Sequence, residues 1–284
     1  MKNKIKSLIV KGIGGFLELQ FKFSPNRAII NAFQLFCKPQ KGRVQTHQES
    51  FLNEARYKVE EIEEHHLQVY CWEGKDASKT ICFFHGWNSN TYRWRQLVER
   101  FQALGYTIYA IDAPAHGYSQ GKYLNIVLYS KCIAHMVSEY QPQVIIGHSI
   151  GAMASILYQS NNPTSSLNKV VALGPPSELH LFFKDFQQKL GLSSSFMEAL
   201  YNYVFECFGF NVNEFSIAEF SKKLHVDGLL VLDKEDPLAP YFYSEKIAVH
   251  WKKAQLITVE GVGHSLQSEA IFDQIVNFVR LELV

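Results

Sequence analysis

Apolar positions along the chain fall into two alternating patterns. Short, nearly continuous runs rich in β-branched and aromatic residues occupy residues 80–84, 106–111, 144–146, 169–173, 229–232 and 255–259. Such runs are expected of strands buried on both faces of a parallel sheet. Between them, apolar residues recur at helical spacing: Trp94, Leu97, Val98, Phe101 and Leu104; Ile126, Tyr129, Ile133, Met136, Val137 and Tyr140; and Ile271, Phe272, Ile275, Val276, Phe278 and Val279. A further helix is expected near residues 244–251. Residues 57–62 and 65–72 alternate weakly and predict an antiparallel hairpin before the first parallel strand. Repeated strand–helix units predict an α/β fold, a mostly parallel sheet covered by helices on both faces. Functional side chains then belong on loops at the C-terminal ends of the strands.

Two stretches break the alternation. Residues 1–48 come before the first clear strand and predict two short amphipathic helices, broken near Ser24-Pro25-Asn26. The second would bury Ile29, Ile30, Phe33, Leu35 and Phe36 and end before Pro39. Residues 177–226 lack a strand pattern but are crowded with aromatic side chains, Phe182, Phe183, Phe186, Tyr201 and Phe205 among them. The expected division is a basic N-terminal arm over 1–48 and a main domain over 49–284, interrupted at 177–226.

Composition changes this picture little, and charge changes it more. With 284 residues, 47% of them hydrophobic, the chain has room for one large domain. Five scattered cysteines without a Cys-x-x-Cys pair suggest free thiols, a reducing compartment and a cytoplasmic location. The first residues imitate a signal peptide, but Lys11 interrupts the apolar region and no small-x-small site follows, so secretion is not expected. No run reaches the roughly 18 apolar residues of a membrane span. Net charge is +1, yet residues 1–48 carry nine Lys and Arg against Glu18 alone, a local charge of +8. That asymmetry predicts either an arm packed on the main domain or peripheral contact with an anionic membrane surface. No Gly-rich phosphate loop, aromatic-interleaved basic patch or clustered metal ligands suggest nucleotide, nucleic acid, metal or another cofactor. Nothing in the sequence sets an oligomeric state.

The candidate chemistry centres on Gly147-His148-Ser149-Ile150-Gly151. An apolar strand precedes it and a helix-like run follows, the strand–turn–helix context in which a serine hydroxyl is pushed out of a strand end. The helix behind Ser149 points its N-terminus at the reacting centre, which suits a developing anion. A serine hydroxyl needs a base within hydrogen-bond reach and a group that orients the base. Among eleven histidines, His264 is best placed, between the last strand and the last helix. Asp233-Lys234-Glu235-Asp236-Pro237 offers three carboxylates. Asp236 is preferred, because Asp233 leaves the strand directly and Glu235 faces away from Asp236.

These segments, with His85-Gly86-Trp87 and Asp112-Ala113-Pro114-Ala115-His116-Gly117-Tyr118-Ser119, resemble the serine hydrolases of the α/β-hydrolase superfamily from about residue 57 to the end. The serine–acid–histidine order is the order of that fold. The resemblance implies Ser149 as nucleophile, His264 as general base and then acid, and Asp236 as its orienter. It also implies an oxyanion hole from the backbone N–H groups of Trp87 and Ile150. The insertion at 177–226 stands where many members carry a helical cap. Ala115 stands where the family commonly has glycine. The implied activity is hydrolysis of a carboxylic ester or thioester of a small to medium apolar acyl substrate under the cap. Amide, lactone or carbon–carbon bond hydrolysis on the same triad, or a non-catalytic binding protein on the same fold, are the alternatives. His85, His148, Phe182 and Phe205 are the expected pocket residues.

Overall fold

The computed structural model describes residues 2–163 and 167–280. Met1, residues 164–166 and residues 281–284 of the division expected above lie outside the described residues. From the N-terminus the elements run α1 (Lys2–Phe23), α2 (Pro25–Phe36), α3 (Thr46–Leu52), β1 (Arg56–Ile62), β2 (His65–Trp72) and β3 (Asp76–Phe84). A 3₁₀ turn (Thr91–Trp94) leads into α4 (Arg95–Ala103), followed by β4 (Tyr106–Ile111), α5 (Ile126–Tyr140), β5 (Val144–His148), α6 (Ile150–Asn161) and β6 (Lys169–Leu173). Then come α7 (Leu179–Leu190), α8 (Ser194–Phe208), α9 (Ile217–Ser221), β7 (Asp227–Asp233), α10 (Tyr241–His250), β8 (Ala254–Val259) and α11 (Glu269–Arg280).

The eight strands form one sheet in the order β1-β2-β4-β3-β5-β6-β7-β8. The two pairings at the β1 end, β1 with β2 and β2 with β4, are antiparallel; the other five are parallel. Successive side chains on a strand face opposite ways, and both faces are buried. Ile81, Phe83, Val144, Ile146, Val171, Leu173, Leu229 and Val231 join Leu97, Val98 and Phe101 of α4 and Ile271, Phe272 and Ile275 of α11 in one core. Their strand neighbours Cys82, Phe84, Ile145, Val170, Ala172 and Leu230 are equally buried on the other face, where Phe84 lies against Tyr129 of α5. Full burial of a large apolar side chain contributes about 1.5–3 kcal/mol, so this two-sided core is what holds the sheet rigid.

Strand order places the site. The connection leaving β3 turns to β4 on one side, and the connection leaving β4 crosses back to β5 on the other. Loops at the C-terminal ends of β3 and β5 therefore diverge and leave a crevice between them, the position where open α/β sheets bind ligands.

The chain folds as two compact units, and they differ from the division expected above. One unit contains Pro39–Ser177 and Ile217–Val284. The other combines Met1–Lys38 with Glu178–Ser216, so the first two helices share a core with part of the insertion. Aromatic contacts hold that second unit together: Phe21 on Phe196, Phe33 on Tyr203 and Phe208, and Phe36 on Phe183 at a centroid distance of 4.3 Å. A Cβ on Gly14 would lie 1.8 Å from the Leu190 carbonyl oxygen, so only glycine lets α1 approach the end of α7 this closely. The carboxylate of Glu18 accepts the Ser193 N–H at 2.6 Å, at the start of α8. Glu178 and Ser216 form an antiparallel bridge, so the two ends of the inserted segment meet. Residues 40–48 go with the sheet because Asn88 Oδ1 accepts the N–H groups of Gln40 and Lys41, and Arg43 donates to the Ser119 carbonyl.

Candidate active site

Ser149 lies between the last residue of β5 and the first of α6, with φ 53° and ψ −120°. A non-glycine residue in that region costs on the order of 1–3 kcal/mol and persists only where its surroundings over-determine it. They do so here. The Ser149 N–H donates to Leu173 O at 2.8 Å, and its carbonyl accepts the Met153 N–H at 2.9 Å. A Cβ on Gly147 would lie 2.7 Å from the Ala152 nitrogen, and one on Gly151 2.3 Å from the Phe84 carbonyl oxygen. Both glycines of the Gly-x-Ser-x-Gly segment are therefore required by close backbone approach.

The structure brings Ser149, His264 and Asp236 together from the ends of β5, β8 and β7. His264 Nε2 lies 2.9 Å from Ser149 Oγ, and His264 Nδ1 lies 2.6 Å from Asp236 Oδ2. A carboxylate can only accept here, so Nδ1 carries the proton and Nε2 is the free acceptor for the serine hydroxyl. The other oxygen of Asp236 accepts the N–H groups of Leu238 and Ala239, which fixes the carboxylate. Asp233 has a different task. Its oxygens accept the N–H groups of Glu235, Val262 and Gly263 at 2.7–2.8 Å, tying β7 to the loop that carries His264. Burial pushes its pKa up, but these backbone donors outweigh burial and the net shift is downward.

The loop after β3 lies against the serine. A Cβ on Gly86 would be 3.1 Å from Ser149 Cβ, so Trp87 follows directly at the crevice. Ile150 opens α6, and its N–H has no acceptor within the helix. Asn88, at φ 55°, donates its N–H to His116 Nε2, while His116 Nδ1 donates to Pro114 O. His85 Nε2 accepts the Ala113 N–H, and its Nδ1 donates to Gly86 O. Burial lowers the pKa of His85 to about 4 and that of His116, next to it, to about 3, so both are neutral braces between the loops after β3 and β4. Between them, Asp112 accepts from Tyr70, the Thr91 N–H and the Tyr118 N–H. Ala115 adopts φ 67°, the left-handed conformation for which glycine is better suited.

Two of the expected pocket residues prove to be internal braces. His85 is fully buried with both ring nitrogens committed to the backbone. His148 is also buried: Arg93 donates to its Nδ1 at 2.6 Å, and its Nε2 donates to the His264 carbonyl at 2.8 Å. Burial, with Arg93 and His264 alongside, holds its pKa far below the ordinary imidazole value. Arg93 also donates to Ser265 O at 3.1 Å. Sequence reasoning passed over Arg93, because its partners lie 55 and 172 residues away. Its place beside Trp94, at the start of an amphipathic helix, was the only local sign that it faces inward. Phe182 and Phe205 belong to the helical unit, on α7 and α8; Phe182 is half-buried and Phe205 is 58% exposed. Among the described residues, no three His, Cys, Asp or Glu side chains are grouped to hold a metal ion.

Three comparisons bear on this geometry. The serine aminopeptidase, S33 family model matches residues 75–205. A monoglyceride lipase homolog of monkeypox virus is 31% identical over 107 residues, which is 34% of this chain and 39% of the viral protein. A monoacylglycerol lipase of Mycolicibacterium smegmatis is 24% identical over 118 residues, 37% of this chain and 40% of that protein. The matches span about two-fifths of each curated relative's length. The crystal structure of an esterase from Pyrococcus furiosus superposes with a TM-score of 0.62 at 20% identity, over 86% of this chain and 96% of that one.

Proposed function

We propose that the chain is a serine hydrolase on the α/β-hydrolase fold and that it hydrolyses carboxylic esters through an acyl-enzyme on Ser149. The observation that carries this reading is the continuous Ser149–His264–Asp236 hydrogen-bond chain behind a strained serine. Ser149 Oγ attacks the ester carbonyl while His264 Nε2 takes its proton. Asp236 keeps His264 in the tautomer that can accept, and stabilises the imidazolium that forms. The N–H groups of Ile150 and Trp87 receive the oxyanion, where each donor lowers the barrier by roughly 2.7–4 kcal/mol. His264 then gives the proton to the leaving alcohol, and water repeats the sequence to release the acid.

The names of the viral and mycobacterial relatives favour a monoacylglycerol as the first substrate to try. The S33 family match favours a second bond type, the amide of an N-terminal residue. The five free cysteines support a reducing, cytoplasmic setting. The test is labelling with a fluorophosphonate probe, alongside turnover of monoacylglycerols, chromogenic esters of graded length and aminoacyl amides. Labelling lost in Ser149→Ala, with ester turnover above amide turnover, is the expected result. Labelling that survives the substitution overturns the assignment of the nucleophile, and amide turnover above ester turnover overturns the bond type.

A further inference from the structure

Helix α1 is apolar on two opposite sides, although a helix at the surface of a globular protein needs only one. One side, with Gly14 and Leu17, is buried in the helical unit, where Gly14 meets the end of α7. The other carries Leu8, Ile9, Ile13, Phe16, Leu19 and Phe23, all exposed; Leu8 is 70%, Phe16 62% and Phe23 83% accessible. At helical spacing these six fall within an arc of about 140°, wider than the stripe that a core contact requires. Patches of this kind mark interaction sites.

Charge identifies the partner. Lys11 and Lys22 are exposed at one edge of the arc, and the same helix carries Lys2, Lys4 and Lys6. Its one acid, Glu18, lies off the arc and is engaged with the Ser193 N–H at the start of α8. What faces outward is therefore an apolar stripe with a cationic border. A second copy of the chain packed antiparallel fits poorly, because that two-fold contact would set lysine borders against each other. A membrane span is ruled out for α1 by its lysines; among the described residues no helix is long and apolar enough to cross a bilayer. An anionic lipid surface satisfies both features, taking the apolar stripe into the acyl boundary and the lysines at the headgroups. We propose that the Leu8–Phe23 face of α1 seats the protein in the plane of an anionic phospholipid surface. This reading does not depend on the chemistry at Ser149.

The experiment is sedimentation of the full chain with vesicles of phosphatidylcholine alone and of phosphatidylcholine with phosphatidylserine, at low and high salt. Binding to the anionic vesicles is expected to be roughly tenfold or more tighter, and to weaken with salt. Two double variants, Phe16→Ser with Phe23→Ser and Lys11→Glu with Lys22→Glu, should each lower it by about tenfold or more while the circular dichroism and thermal midpoint stay unchanged. Both pairs are exposed, and if the phenylalanine variant unfolds, the lysine variant still decides the question. Absence of binding to anionic vesicles, equal binding to both vesicle types, or binding indifferent to both variants overturns the proposal. So does a concentration-dependent dimer that the phenylalanine variant dissociates, which would assign the face to a second copy.

Discussion

Arg93 donates to the ring of His148 at 2.6 Å, and through that ring it holds the backbone of His264, whose carbonyl accepts from the far nitrogen of His148. The guanidinium also reaches the carbonyl of Ser265, so the loop of the proposed general base is gripped on two consecutive residues. Arg93→Met removes both grips without touching Ser149, His264 or Asp236. A displacement of about 1 Å at a reacting group can cost 10²-fold in rate. The variant is expected to lose about that much in kcat, with KM little changed and the thermal midpoint still well above the assay temperature. Arg93→Lys should recover only part, since an ammonium is a point donor without the fork that reaches both partners. A fall in KM affinity without a fall in kcat would instead make Arg93 a substrate contact.

Ser149 separates two effects that alanine and glycine report differently. Either substitution is expected to lower ester turnover on the order of 10⁴-fold or more, because nucleophile and base act as a unit. Stability should divide them. Alanine keeps a Cβ at φ 53°, whereas glycine relieves it. Ser149→Gly is therefore expected to unfold at a higher denaturant concentration than Ser149→Ala, by about 1 kcal/mol. Equal stabilities would show that the elbow stores no backbone strain.

The two aspartates after β7 should fail in different ways. Asp236→Asn replaces the acceptor that fixes His264 in its working tautomer, and a loss of about 10⁴-fold in kcat is expected. Asp233→Asn leaves that pair intact but offers an NH₂ group to backbone N–H donors of Val262 and Gly263. Its cost should appear as roughly 1–3 kcal/mol of stability, with a smaller effect on rate. Denaturant titration and steady-state kinetics on both variants check the ranking, and the reverse order would transfer the acid's role to Asp233.

Acid should weaken the fold through His85 and His116. Burial lowers both pKa values, to about 4 and about 3, from an ordinary value of 6.5. Between pH 6.5 and 4 the unfolded chain binds protons that the folded chain refuses, so stability rises with pH across that window. The contribution is fully present above pH 6.5 and is lost on acidification, on the order of 3 kcal/mol for His85 alone. His116→Asn should flatten the dependence of the unfolding free energy on pH in that range; an unchanged slope would assign the effect to other groups.

Much of this architecture was legible as pattern. The strands over 106–111 and 169–173 and the helix over 126–140 form where periodicity places them, because each element's buried side is complete within itself. β3 starts four residues earlier than its apolar run, at Asp76, where a polar lead-in pairs irregularly with β4. α3 was not anticipated: its only apolar side chains, Phe51 and Leu52, sit at its last two positions. α1 runs for 22 residues where short helices were expected, since the glycine at position 14, a helix-weakening residue by propensity, is used to meet α7. The Gly-x-Ser-x-Gly segment, His264 and the Asp233–Asp236 turn were readable because each follows a strand directly. The roles of Arg93, His148 and Asp233 were not. Their hydrogen bonds join loops that are distant in sequence, and no local spacing encodes them.

The two halves of the helical unit are separated by the 139 residues between Lys38 and Glu178. On a ribosome adding roughly 5–20 residues per second, α1 and α2 emerge some 7–30 s before α7 and α8 exist. During that interval Phe21, Phe33 and Phe36 have none of the ring partners they meet in the finished fold. The nascent segment is then a basic helix with every apolar side open to its surroundings, the form in which a chaperone or a lipid surface can take hold of it before the rest of the chain is made.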